Sequence, residues 1–302
     1  MTMENRSFFS VGSIILDDIV LYDGQTRMGV LGGGSTHAAM GMRVWADHVG
    51  LVGSIGDNFL VELYDELAGV FDLSGVRRLA IETPRAWQVI EANGSRTEVF
   101  RSDFDEFVAI DPQPEELPES YHNAHGVHLQ CAAPYPLLSW VDKLRSVGIG
   151  LILWEPWDEF LQAENREAVR ALLPEVDIFS PGLAEARRLT RLQDAHQIVT
   201  ELLKDGVPAV ALRMGSDGSL VGSSKFGIQH VPPHPVDIVV DVTGAGNSYC
   251  GGFLVGLETT GDPFVAARYG AVSASFTLEQ FGALVPIQDL REKAQRRFRE
   301  VQ

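Results

Sequence analysis

The sequence predicts a three-layer α/β/α core on a mainly parallel sheet, with a small β-sheet set over it as a lid. Three observations predict it. Short apolar runs ("FFSVG", "VGLVGSI", "GVHL", "IGLILW", "VDIFS", "VPAVALRM") alternate with stretches of helical period ("NFLVELYDELAG", "LLSWVDKLRSVG", "NREAVRALLPEV", "AHQIVTELLKDG"). Two stretches, 17–31 and 85–102, interrupt that rhythm with strand-like runs and no crossover helix between them. The chain from Asn247 to the charged tail then reads as helical.

Each element follows from its pattern. A buried strand of a parallel sheet is apolar on both faces, and its return to the same edge needs a helix, so strand–helix alternation predicts right-handed βαβ units with helices on both faces. The segment 85–102, "RAWQVIEANGSRTEVFRS", reads as a hairpin. Its Asn93-Gly94 pair supplies the positive φ angles of a type I′ turn, and Trp87, Val89 and Val99 alternate along its arms. The segment 17–31 turns in the same way around Asp23-Gly24. Neither fits inside a parallel sheet, so both are expected to form a lid over one edge of the core, within a single domain of 302 residues. An exposed lid edge is usually covered, and a homodimer through the lid is expected.

Composition limits the partners. Lys and Arg total 24 against 41 Asp and Glu, a net charge of −17, which disfavours nucleic acid and anionic membranes. A small-molecule ligand is the better expectation. No apolar run approaches the roughly 18 residues of a membrane span, and the N-terminus lacks a secretory cleavage pattern. Two cysteines, Cys131 and Cys250, do not form a disulfide framework and suit a reducing cytoplasm. His122, His125, His128 and Cys131 recur every three residues. On a strand, however, His128 and Cys131 point to opposite faces, which argues against a metal site.

Two glycine-rich loops carry the candidate chemistry. "DVTGAGNSYCGGF" (241–253) places Gly244, Ala245 and Gly246 at the start of a helix. Free N–H groups and the helix dipole there suit a phosphate, and glycine lets the backbone approach it. A tight strand-to-helix turn would carry the same residues. The loop is neither a P-loop nor a dinucleotide fingerprint, since G-x-x-x-x-G-K-[ST] and G-x-G-x-x-G are both absent. "LGGGSTHAAMGMRVW" (31–45) would let a ligand lie against bare backbone, or form a flexible turn before a packing helix.

Taken together and in order, these motifs resemble the pfkB family of carbohydrate and nucleoside kinases, with a ribokinase-like core. "VGSIILDDIV" is similar to that family's first strand, and "GGGSTHAAM" to its G-G-x-x-x-N-x-A. "VDIFSPGLAEARRLT" is similar to the P-N-x-x-E stretch, "ALRMGSDGS" to T-x-G-x-x-G, and "DVTGAGNSYCGGF" to D-T-x-G-A-G-D. "FGALVPI" resembles the G-A-x-x-x-P near the C-terminus. The resemblance implies ATP-dependent phosphorylation of a hydroxyl on a sugar, nucleoside or related polyol. It implies substrate contacts at Asp17, Gly32, Gly33 and His37, and nucleotide contacts at Arg213, Gly215 and Gly218. It further implies an anion hole at Gly244, Ala245 and Gly246, Mg²⁺ organised through water by Glu185, and a monovalent cation such as K⁺ beside Asp241.

The departures concern polar contacts. His37 stands where the family has Asn, Gly182 where it has Asn, Arg213 where it has Thr, and Asn247 where it has the catalytic Asp. No Glu for the substrate occurs around "HLQCAAP". Asn cannot remove a proton, and general-base help contributes roughly 10²–10⁴ in rate. The expectation is therefore a slow kinase that Asn247→Asp would accelerate, unless His37 or another cleft residue supplies the base, with a catalytically impaired nucleotide-binding or regulatory protein as the alternative.

Overall fold

The computed structural model describes residues 7–92, 94–102, 110–130 and 135–300. Its main sheet has nine strands among the described residues: β1 (Ser7–Val11), β4 (His48–Gly56), β5 (Asp72–Leu79), β8 (Gly126–Leu129), β9 (Leu151–Trp154), β10 (Ile178–Phe179), β11 (Ala209–Arg213), β12 (Ser219–Ser223) and β13 (Gly227–Val231). Their spatial order is β13-β12-β11-β10-β9-β8-β1-β4-β5. The strands from β5 to β11 run parallel, and β12 and β13 add an antiparallel edge. Chain order reverses at β1, which lies between β4 and β8. In open α/β sheets, ligands bind beyond the strand carboxyl ends at such a point.

Strand alternation divides the core into two layers. On β1, Phe8 faces one cluster while Phe9 and Val11 face the other, and on β9 Leu153 opposes Ile152 and Trp154. The first layer holds α1 (Gly34–Arg43), α7 (Ala245–Thr260) and α8 (Pro263–Leu278), along with α2 (Val61–Ala68) and α9 (Leu290–Glu300). The second holds α3 (Tyr135–Ser146), α4 (Arg166–Leu172), α5 (Leu183–Thr190) and α6 (Ala195–Lys204). α7 and α8 are apolar around most of their circumference and accordingly largely buried.

The lid is a separate sheet of order β3-β2-β6-β7, formed by β2 (Ile15–Leu21), β3 (Thr26–Gly32), β6 (Arg85–Ile90) and β7 (Arg96–Phe100). Both expected hairpins are present, joined by a parallel β2–β6 pair. Asn93 lies outside the described residues; Gly94 next to it has φ 79°, the positive value the turn needs. Asp18 braces this sheet. It is fully buried, pairs with Arg85 and Arg101, and accepts the Gly29 N–H at 2.8 Å.

The sequence reading needs two additions. β5 and the β12–β13 hairpin were not among the strands it expected. The apolar run Val236–Val240 before the second glycine loop is not a strand, and Ile238 and Val239 are 70% and 54% exposed. Prolines 232, 233 and 235 lie just before it, and Val240 N–H pairs with Leu278 O at 2.7 Å.

Glycines set the crossing of α1 and α7. A Cβ on Gly251 would fall 1.9 Å from Ala38 O, and one on Gly41 would fall 2.0 Å from Ser248 O. Both obstacles are backbone, so only separation of the helices could relieve the clash. Gly251→Ala is expected to lower stability by about 3 kcal/mol, read from the urea midpoint. Gly69→Ala, whose added carbon would stay 3.4 Å or more from its neighbours, is the matched control expected to change little.

Candidate functional site

The α1–α7 crossing brings both glycine loops to one place. Gly33 (φ 95°) caps α1 and Gly244 (φ 74°) caps α7, each in a backbone conformation that glycine favours. The two caps open on the same cleft, of about 440 Å³, which the lid strands β6 and β7 overhang with Gln88, Arg96 and Glu98. The carboxyl ends of the main sheet supply its floor through Ser13, Gln130, Glu155 and Arg213.

On the lid side, Asp17 is 1% exposed and accepts from Gln88 Nε2 at 2.8 Å. Burial, only partly offset by that hydrogen bond, raises its carboxyl to about 7, and Glu98 adds to the rise. Gly32 lies behind it: a Cβ there would stand 1.9 Å from Asp17 Oδ2. His37 is 2% exposed, and both ring nitrogens are buried without hydrogen bonds. Burial, with help from the Arg96 charge, lowers its pKa to about 4, so the ring is neutral at physiological pH. Gly244 packs against that ring, leaving no space for a side chain at 244.

On the other side, the first turn of α7 presents N–H groups of Gly246 and Asn247, which have no acceptor within the helix. The Arg213 guanidinium is packed beneath them, where a Cβ on Gly246 would lie 2.2 Å from Nη1. Arg213 Nη1 meets Glu155 Oε1 at 2.6 Å, and Nη2 donates to Ser180 O at 3.1 Å. Glu155 Oε2 accepts from His128 Nε2 at 2.7 Å, and His128 Nδ1 lies 2.8 Å from Ser10 Oγ. A carboxylate only accepts, so Nε2 carries the hydrogen. Burial alone would raise Glu155. The Arg213 charge, with hydrogen bonds from His128 and the Asn247 amide, instead holds it down at about 2.

Residues 157–290 match the family model described as pfkB family carbohydrate kinase. A cytidine kinase of Thermococcus kodakarensis is 26% identical over 90% of this chain and 96% of its own length. The crystal structure of an adenosine kinase from Sinorhizobium meliloti superposes with a TM-score of 0.80 at 18% identity, covering 96% of this chain and 99% of that one. An Escherichia coli protein described as a ribokinase II, solved with ATP and Mg²⁺, gives 0.76 at 18% identity over 96% and 99%. Over residues 157–290 the chain is similar to the pfkB family, and its fold is that of these kinases.

Its departures from the pfkB pattern are now located. Asp17, Gly33, His37, Glu185, Arg213, Gly244 and Asn247 line the one cleft; Gly32 and Gly246 stand directly behind Asp17 and Arg213. Gly215 and Gly218 form the turn after β11, at φ 61° and 80°, outside the cleft lining. Ala245 opens α7. Asp241 lies under the loop, with Oδ1 accepting Thr243 N–H at 2.9 Å and burial raising its carboxyl. Arg213 is not a surface ion pair; its side chain is 17% exposed and its charge is committed inward.

The residue this chain hides from sequence reading is Glu155. Its only signal is a carboxylate between an apolar strand and Pro156, at the carboxyl end of a parallel strand. His128, Glu155 and Cys250 also lie close enough for a shared cation, their ligand atoms within 4.8 Å of one another. That cation would have to displace Arg213 from Glu155, and burial raises the Cys250 thiol, so the cluster is an ion-paired network. Cys131 lies outside the described residues.

The raised Asp17 has a stability consequence. Its folded value of about 7 exceeds the unfolded 3.8, so between these values the folded protein keeps a proton that the unfolded chain has lost. Its contribution is fully present below the unfolded value and is lost as pH rises through the folded one. Asp17→Asn is expected to raise the melting temperature more at about pH 8 than at about pH 5. Equal gains at both would show that Asp17 carries no buried charge.

Proposed function

We propose that this protein transfers the γ-phosphoryl group of ATP to a hydroxyl of a sugar, nucleoside or related polyol. The observation that carries the reading is the meeting of two glycine-capped helix N-termini in one lidded cleft, with an anion pocket on one side and buried hydrogen-bonding groups on the other. The pfkB match over residues 157–290 and the kinases among its relatives support it.

The α7 loop would receive the γ-phosphate through the Gly246 and Asn247 N–H groups and the helix dipole. Arg213 adds a cation at the same point, suited to paired contacts with phosphate oxygens. Asp17 and neutral His37 would hold acceptor hydroxyls, with Gln88, Arg96 and Glu98 of the lid above them. Phosphoryl transfer leans mainly on such positioning and on stabilising charge at the phosphate oxygens, with lid closure excluding water.

The residues present fit Mg²⁺. It prefers oxygen ligands and keeps several waters, and Glu185 brings a carboxylate to the cleft with Oε2 held by the Gly182 N–H at 2.6 Å. When bound, Mg²⁺ neutralises phosphate charge. Asp241 Oδ2 is buried without a well-formed partner, which suits a monovalent cation. On the outer side of the lid, Tyr22, Met28 and Val99 are 69%, 51% and 49% exposed, which supports pairing with a second copy there.

One observation favours a second reading, a nucleotide-binding regulator: Asn247 in place of a carboxylate. The two separate experimentally. ATP with Mg²⁺ is expected to raise the melting temperature, a stabilisation of about 2.7 kcal/mol at a hundredfold excess over Kd. A screen of sugars and nucleosides is expected to give one phosphorylated product by mass spectrometry. Binding without ADP formation for any acceptor would select the regulator. No thermal shift would remove both readings.

A further inference from the structure

Glu155 and Asn247 form one arrangement. Both line the same cleft, and the Asn247 amide interacts with the Glu155 carboxylate as a hydrogen-bond donor that helps hold it ionised. An Asp at 247 would put two carboxylates within hydrogen-bond reach of each other, and like charges at that range cannot both ionise readily. The carboxylate paired with Arg213 Nη1 beside the anion loop therefore sits at the end of β9 rather than on the first turn of α7.

Arg213 connects this carboxylate to the phosphate. Nη1 bonds to Glu155 at 2.6 Å and abuts Gly246, within the loop that would bind the phosphate. Arg213 Nε is buried with no partner. A phosphate in the loop and Glu155 thus compete for one guanidinium.

We propose that Glu155 is the proton acceptor of the transfer, freed when a phosphate in the 244–247 loop draws Arg213 away from it. This rests on the phosphotransferase reading. The acceptor oxygen forms its bond to the γ-phosphorus, and the bond from that phosphorus to the β,γ-bridging oxygen breaks. The electron pair leaves on ADP, and the acceptor's proton passes to Glu155. While Arg213 is engaged, Glu155 stays near 2 and cannot hold a proton. With the guanidinium turned to phosphate, burial acts in the opposite direction and makes the carboxylate basic. The other groups facing Glu155 are His128, which donates to Oε2, and the Cys250 thiol, which burial keeps protonated; Glu185 lies 3.8 Å from Arg213 Nη2. Asp17, on the lid side, is the rival acceptor.

The test compares wild type, Glu155→Gln, Asn247→Asp, the double variant and Asp17→Asn, measuring kcat on the best acceptor and ATP affinity by calorimetry with Mg²⁺. Glu155→Gln is expected to lower kcat roughly 10²–10⁴-fold while tightening ATP, because Arg213 loses its competitor. A merely structural residue would weaken both. Asn247→Asp alone is expected to bring no gain, which reverses the sequence expectation. The double variant keeps the wild-type number of buried charges, so it guards against misfolding, and is expected to recover kcat to within about tenfold of wild type.

An unchanged kcat in Glu155→Gln, or a loss with weakened ATP binding that the double variant does not restore, overturns the proposal. So does an Asp17→Asn variant that alone abolishes kcat without changing acceptor affinity. Wild type that turns over, undiminished by Glu155→Gln, removes this inference only. Wild type that binds ATP and turns over no acceptor removes the phosphotransferase reading and this inference together.

Discussion

The contact on which the rest of the site depends is the backbone approach of α1 to α7. Two helices that start at separate loops, some two hundred positions apart in sequence, meet where Gly251 touches Ala38 O and Gly41 touches Ser248 O. Any side chain at either glycine would push the axes apart. Their closeness sets His37, one turn into α1, against Gly244 at the cap of α7. It also aims two sets of free N–H groups and two helix dipoles into one cleft. The glycines of the loops give ligands access to the backbone. The glycines within the helices put those loops in register.

Beneath that crossing lies a buried set of paired charges. Glu155, Arg213 and His128 lie out of water in a line ending at Ser10. A buried ion pair recovers its desolvation cost only when its geometry is good and its remaining hydrogen-bonding capacity is met, and an apolar pair of similar volume often does as well. Here both Glu155 oxygens are satisfied, whereas Arg213 Nε is not. The incompletely satisfied member is the one facing the anion loop. A purely stabilising pair gains nothing from that asymmetry. A pair that must release its cation to a phosphate does.

The layers, the lid hairpins and both glycine loops were legible because each depends on local chemistry. Period-two and helical patterns set the elements, Gly94 set a turn, and Gly33 and Gly244 supply positive φ where the chain leaves a strand or loop for a helix. What stayed hidden was long-range. β12 and β13 form an antiparallel edge whose alternation is weak, with β12 buried throughout and β13 mostly exposed. Val236–Val240 has a strand's composition, but its Val240 N–H pairs with Leu278 O on α8. Glu155 looked like one acidic residue among many. Its surroundings come from Arg213 and His128, neither of them near it in sequence.

His37 shows how the two halves of the cleft are linked. The ring lies against Gly244, lines the same cleft as Asp17, and keeps both nitrogens unpaired in a buried setting. An amide at this position would offer a fixed donor and a fixed acceptor. Neutral imidazole offers one of each with a choice of tautomer, so it can adapt to whichever neighbour is present. Under the proposed function, a phosphate in the α7 loop would add negative charge beside a ring that burial keeps at about 4, raising its pKa and strengthening it as a donor. Acceptor binding at Asp17 and phosphate binding at Gly244 would then be felt by the same side chain. The close crossing of α1 and α7 is what makes that coupling physical, because a wider crossing would leave a gap between His37 and the loop that water could fill.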